Sequence, residues 1–241
     1  MQWLTSWMMK EGKGIRKDEP KKTGLALFFS ILLREPWELF KLNLLMLVLS
    51  IPLVTIPANF AAASRICTLM IEDEIVFLWR DYWRAFARMA LKATGWGILI
   101  CMCLAICGYS AFIYAQLAFH DVAYVAPAVL TFAVTLFVAM VGVCLFALMS
   151  KQDLSAGRLL KAAFYSALAR PFSIVAGIGF AMTLWLLHVF FYPASIFLPV
   201  VLNFSLGTLA MMFGAYRATD FALELQKSAS STKSAEKSAS L

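Results

Sequence analysis

Two histidines, five cysteines and a handful of arginines and asparagines are the residues of this chain whose types could do chemistry. His120 stands beside Asp121, and His188 precedes Phe190 and Tyr192. Two imidazoles and a carboxylate at one depth would suit a divalent metal, whereas interfacial polar residues beside aromatic anchors need none. Cys103 and Cys107 are four apart and share a helix face, but without histidine or carboxylate neighbours they read as small packing residues. No serine-nucleophile motif, phosphate-binding glycine loop or pair of carboxylates within an apolar run is present. The sequence therefore implies no catalytic residue, no metal and no cofactor, and a protein that is not an enzyme.

A second group consists of polar side chains in or beside apolar runs: Asn43, Thr55, Asn59, Arg65 and Asn203. Each could form a hydrogen bond between helices, worth about 0.6–2 kcal/mol in a membrane, or line a path for a small solute. Both readings stand on sequence. The third group is a ridge of arginines spaced by four, Arg80, Arg84 and Arg88, with Asp81 and Trp83 among them. Arg158 and Lys161 mark a second such helix. A basic face interleaved with tryptophan suits cytoplasmic docking or contact with lipid headgroups.

The elements that must position these residues are helices in lipid. The chain is 62% hydrophobic and only 15% charged, against about 45–50% and about 25% in soluble domains. Residues 95–118, 123–150, 172–192 and 194–215 lack Lys, Arg and acidic residues altogether. Each block is long enough to span a bilayer core, which takes about 20 residues. The net charge of +7 comes from residues that flank these blocks, which favours a membrane surface over nucleic acid. The fold class is an all-α polytopic transmembrane bundle with cytoplasmic interfacial amphipathic helices.

In order, residues 1–36 form a basic amino terminus with a short interfacial helix. Residues 37–75 form a helical hairpin turning near Pro57, and 76–92 an amphipathic surface helix. Two spans occupy 95–150, a second amphipathic helix 153–170, and two more spans 172–216. These make one integral membrane domain over 1–225, followed by a disordered Ser/Ala/Lys tail at 226–241. The positive-inside rule places the 151–170 segment and both termini in the cytoplasm. An even number of crossings before residue 95 then gives six membrane segments; five, with an outside amino terminus, is the alternative. Phe86 and Phe164 each precede a basic residue by six positions. Their helices either descend from a duplicated unit or look alike because both lie beside the membrane.

One stretch carries a resemblance. Leu42, Asn43, Leu44 and Leu45 are followed by Ser50, by Pro52-Leu53-Val54-Thr55, by Pro57, and then by Asp81-Tyr82-Trp83 with Phe86. This pattern resembles the YesL-like family of bacterial membrane proteins; Ile56 stands where the family often has glycine. The resemblance covers about a quarter of the chain. It implies a plasma-membrane protein that is accessory to carbohydrate uptake, with a carbohydrate ABC transporter as a partner beside the lipid bilayer. It implies no established site residues.

Overall fold

A computed structural model describes residues 24–239. Among these lie eight α-helices and no strand: α1 (Leu25–Arg34), α2 (Pro36–Leu49), α3 (Ile56–Ile71), α4 (Leu78–Ala118), α5 (Val125–Lys151), α6 (Ala156–Ala169), α7 (Pro171–Phe190) and α8 (Phe204–Ala239). Pro36, Pro57 and Pro171 sit in first turns, where the missing N–H costs nothing. A π-helical turn, Pro199–Asn203, leads into α8. The basic segment 1–23, on which the placement of the amino terminus rests, lies outside the described residues.

Ion pairs show which helix ends lie together. Arg34 pairs with Asp73, Lys92 with Asp153 at 2.5 Å, and Lys151 with Asp220 at 2.6 Å. The α1–α2 junction, the α3–α4 turn, the end of α5 and the middle of α8 thus form one basic end. The connections 119–124 and 191–203, at the opposite end, and 50–55, near the level of the α4 midpoint, carry no Lys or Arg. A six-residue signal ends α3: the Glu74 N–H donates to the Leu69 carbonyl (3.0 Å) and Asp73 adopts φ 61°. That is a Schellman stop with Asp in the left-handed position usually taken by Gly.

Helix α3 sits at the centre, against α2, α4, α5 and α8. Ala61, Ala62 and Ala63 are buried outright, and their small side chains let neighbouring helices approach closely. Among the described residues five helical stretches are long and apolar enough to cross a membrane: Leu53–Ile71, Leu78–Ala118, Val122–Lys151, Pro171–Phe190 and Pro199–Ser228. Helix α2, expected to supply a sixth, has 14 residues and reaches only about 21 Å. Its turn to α3 falls at Ser50–Thr55, just before Pro57.

Two other segments differ from the sequence reading. Residues 78–92 do not form a separate surface helix; they continue into the span as one unbroken helix of 41 residues. No proline falls within it, and helix-forming Arg, Ala, Leu and Met fill the junction. By contrast Pro171 separates α6 from α7. Helix α8 also continues to Ala239, across the stretch from 226 assigned to a disordered tail; Ala, Lys and Glu there favour helix.

Helix α3 begins beside the midpoint of α4, where a Cβ on Gly97 would meet the Pro57 ring at 2.3 Å. Beyond that level α4 and α5 run on as a pair, exposing Ile106, Phe112, Val129 and Phe132. Helices α7 and α8 meet backbone to backbone. A Cβ on Gly177 would lie 2.6 Å from the Ala210 carbonyl oxygen, and one on Gly214 2.5 Å from that of Ser173. A Cβ on Gly179 would meet nothing within 4 Å. We expect G177A and G214A each to destabilise the protein by about 1–3 kcal/mol through overpacking against backbone. G179A should instead gain up to about 1 kcal/mol of helix propensity. Thermal unfolding in detergent checks the contrast.

Candidate functional site

The buried polar residues come first, because a membrane leaves them few partners. Asn43 is 0% exposed. Its Nδ2 donates to the carbonyls of Pro199 (2.9 Å) and Val200 (2.7 Å), and its Oδ1 accepts from the N–H groups of Phe204 (2.9 Å) and Ser205 (3.0 Å). One amide thereby satisfies both sides of the helical irregularity that opens α8, where regular i to i−4 pairing fails. Asn59 does the same for the end of α2. Its Nδ2 donates to the Met46 carbonyl (2.7 Å) and Ser50 Oγ (2.8 Å), while its Oδ1 accepts from the Tyr82 hydroxyl. Thr55 Oγ1 closes the α2–α3 turn on the carbonyls of Leu49 (2.5 Å) and Pro52 (2.6 Å). Asn203 differs: it is 1% exposed and neither side-chain amide atom has a partner.

At the basic end the charged groups divide into a clamp and a cavity. Lys151 is nearly enclosed; its ammonium donates to Asp220 (2.6 Å) and the Tyr216 carbonyl (2.9 Å), and lies 3.6 Å above the Tyr216 ring. The Tyr216 hydroxyl reaches Glu72 at 3.4 Å. This set fastens α5 to α8 and the end of α3. Burial pushes the Glu72 carboxyl above the usual range, against the pull of Arg65 and Lys151. The Lys92 ammonium holds exposed Asp153 below the usual range.

The cavity brings together residues that the sequence placed in two separate groups. Arg65 projects from α3 and donates to the Ser150 carbonyl (3.0 Å), beside the Thr68–Ser150 hydroxyl pair (2.8 Å). It lines a space of about 330 Å³ together with Arg80, Arg84 and Arg88 of α4, and with Glu74 and Asp81. Asp81 is already engaged: it accepts from the Phe77 N–H at 3.0 Å and from Arg80 Nε at 3.1 Å. Arg65, Arg84 and Arg88 make no ion pair within 4 Å among the described residues. The cavity therefore carries excess positive charge. Next to it, an apolar groove of about 780 Å³ separates α2 from the start of α4, and Arg80 lines both spaces. The groove went unrecognised in the sequence; only the exposed-looking pair Phe77 and Trp79 hinted at it.

Trp83 packs edge-on against Trp79 (5.8 Å) and Phe86 (5.7 Å) on the outer side of α4. Arg158 and Lys161 stand apart from the arginine cavity on α6; Arg158 Nε donates to Ser155 Oγ (3.1 Å) and its carbonyl accepts from Gln226 (3.0 Å). His188 faces Ser195, whose hydroxyl donates to the His188 carbonyl at 2.7 Å. His120 lies in the α4–α5 connection. Among the described residues no three His, Cys, Asp or Glu side chains form a metal-holding group, and the five cysteines are free.

Five apolar helices among the described residues, buried polar groups answered from within save for Asn203, and a basic end define the class: an all-α membrane protein. No family model matches the chain, and neither a curated protein nor a solved structure shows significant similarity to it. Within residues 42–57, Ser50 and Thr55 close the α2–α3 turn, and Asn43 grips the start of α8.

Two outcomes follow. Asn43→Ala removes four hydrogen bonds to backbone groups and should destabilise by about 2–3 kcal/mol, whereas Asn203→Leu removes unpaired polar atoms and should be neutral or stabilising; unfolding in detergent separates them. Because the folded-state pKa of Glu72 is raised, the folded protein holds that proton longer than the unfolded chain. Stability should fall as pH rises from the ordinary glutamate value to the raised one. The melting temperature of wild type relative to E72Q should drop across that window.

Proposed function

We propose that the chain is a non-enzymatic, multi-pass protein of the bacterial plasma membrane, with both termini cytoplasmic, accessory to carbohydrate uptake or utilisation. The observation that supports an accessory over a transport role is the use of the buried amides. Asn43 spends all four of its hydrogen bonds on the chain's own backbone, and Asn59 three of its four on backbone and side chains, which leaves little for a passing solute. The carbohydrate assignment draws on the family likeness of residues 39–63 and 81–99. Contacts with a partner such as a carbohydrate ABC transporter would be lateral, through exposed apolar flanks, or through α6. That helix buries Leu159, Ala162 and Ala163 and turns Arg158, Leu160, Lys161 and Tyr165 outward.

Asn203 supports a second reading, a small-solute transporter or channel. Its unpaired, buried amide lies in a π-helical turn, a backbone irregularity that often marks functional sites. Two measurements separate the readings. For an accessory, deletion of the gene lowers uptake of a sugar severalfold, the protein co-purifies with the transporter in mild detergent, and R158E/K161E fails to restore uptake. Purified chain that emerges alone, with uptake unchanged by its deletion, removes this reading. Flux of that sugar into liposomes holding only this protein, abolished by N203L, establishes the transporter instead.

A further inference from the structure

We propose that the arginine cavity and the adjoining groove form one binding site for an anionic phospholipid, with the headgroup phosphate among Arg65, Arg84 and Arg88 and an acyl chain between α2 and α4. This goes beyond the accessory role and needs no protein partner. The charge argument is specific. Arg65 comes from a helix apolar enough to cross a membrane, where a lone guanidinium is costly unless something answers it. One Ser150 carbonyl answers part of it, and no carboxylate lies within 4 Å of Arg65, Arg84 or Arg88 among the described residues. Guanidinium groups from two helices, around a space of about 330 Å³, suit a phosphate with its several acceptor oxygens.

The second observation concerns the tail. The groove is walled by Leu44, Leu45 and Val48 of α2 and by Phe77, Leu78 and Trp79 of α4. Its polar residues collect at one rim, where Lys41 pairs with Glu38 at 2.5 Å. Arg80 lies at the junction, 4.4 Å over the Phe77 ring, and lines both spaces. A soluble phosphate would use the cavity alone. An amphiphile uses both, and the exposed tryptophans Trp79 and Trp83 mark the depth at which headgroups lie. These features favour a lipid over a free anion or an acidic peptide.

The test uses the full-length protein, delipidated in detergent, with phosphatidylglycerol or phosphatidylcholine added and retention read by native mass spectrometry. Phosphatidylglycerol should be retained at least about tenfold more strongly: both lipids offer a phosphate, but the excess positive charge around it disfavours the choline cation. R84Q/R88Q, at exposed positions, should erase the preference. V48W, which fills the groove and leaves the charges, should lower retention of either lipid. R158Q/K161Q, away from the cavity, should change neither. Equal retention of the two lipids overturns the proposal, as does equal loss in R158Q/K161Q, which would indicate a diffuse basic field. Displacement of phosphatidylglycerol by millimolar sn-glycerol 1-phosphate, with V48W inert, overturns it in favour of a soluble anion.

Discussion

A single side-chain amide, that of Asn43, joins the first third of the chain to the last. It lies in the middle of α2 and grips the backbone where α8 begins, more than 150 residues later. The constraint behind it is general. Backbone polar groups removed from water must find partners within the protein, and a π-helical turn next to a helix start offers several at once. Asn meets that need with two donors and two acceptors on a short, stiff stem. Because α2 is fixed to α8 in this way, and to α3 through Asn59 and Ser50, the central helix α3 is held from both sides. Its position in turn sets Arg65 opposite the arginines of α4.

The structure thus separates two kinds of polar residue that look alike in a sequence. Asn43, Asn59 and Thr55 are internal fasteners whose hydrogen-bonding capacity is used within the fold. Arg65, Arg84 and Arg88 line an open space; Arg65 gives one bond to the Ser150 carbonyl, and none of the three has an ion-pair partner within 4 Å among the described residues. Lys151 belongs to the first kind although it is charged: its ammonium is enclosed between the Tyr216 ring and the half-exposed Asp220, and removing that carboxylate would leave a buried charge without its partner.

Much of the architecture was legible because hydropathy reports helix length directly. The uncharged blocks at 95–118, 123–150, 172–192 and 194–215 correspond to long helices, and Pro36, Pro57 and Pro171 mark helix starts. What hydropathy does not report is height. Leu42 to Leu49 is as greasy as any span, yet α2 stops after 14 residues, and the bonds of Asn59 to Met46 and Ser50 and of Asn43 to the start of α8 show where it sits. The continuity of α4 was hidden for a related reason: an amphipathic pattern reads the same whether the helix lies flat or continues into a span. The cavity was legible only in halves. Arginines spaced by four declare a helix face, but their meeting with Arg65 depends on tertiary packing, set by contacts such as Pro57 against Gly97. The solitude of Asn203 is likewise a property of its surroundings and leaves no trace in composition.

At 41 residues, α4 is about 61 Å long, roughly twice the thickness of a bilayer's hydrocarbon core. Neither proline nor a π-helical turn interrupts it. Its upper arm has only α5 for company; its lower arm carries Arg80, Arg84 and Arg88. Standing upright, such a rod has about half its length outside a hydrocarbon core of about 30 Å, so the arginines and the α4–α5 connection cannot both be immersed.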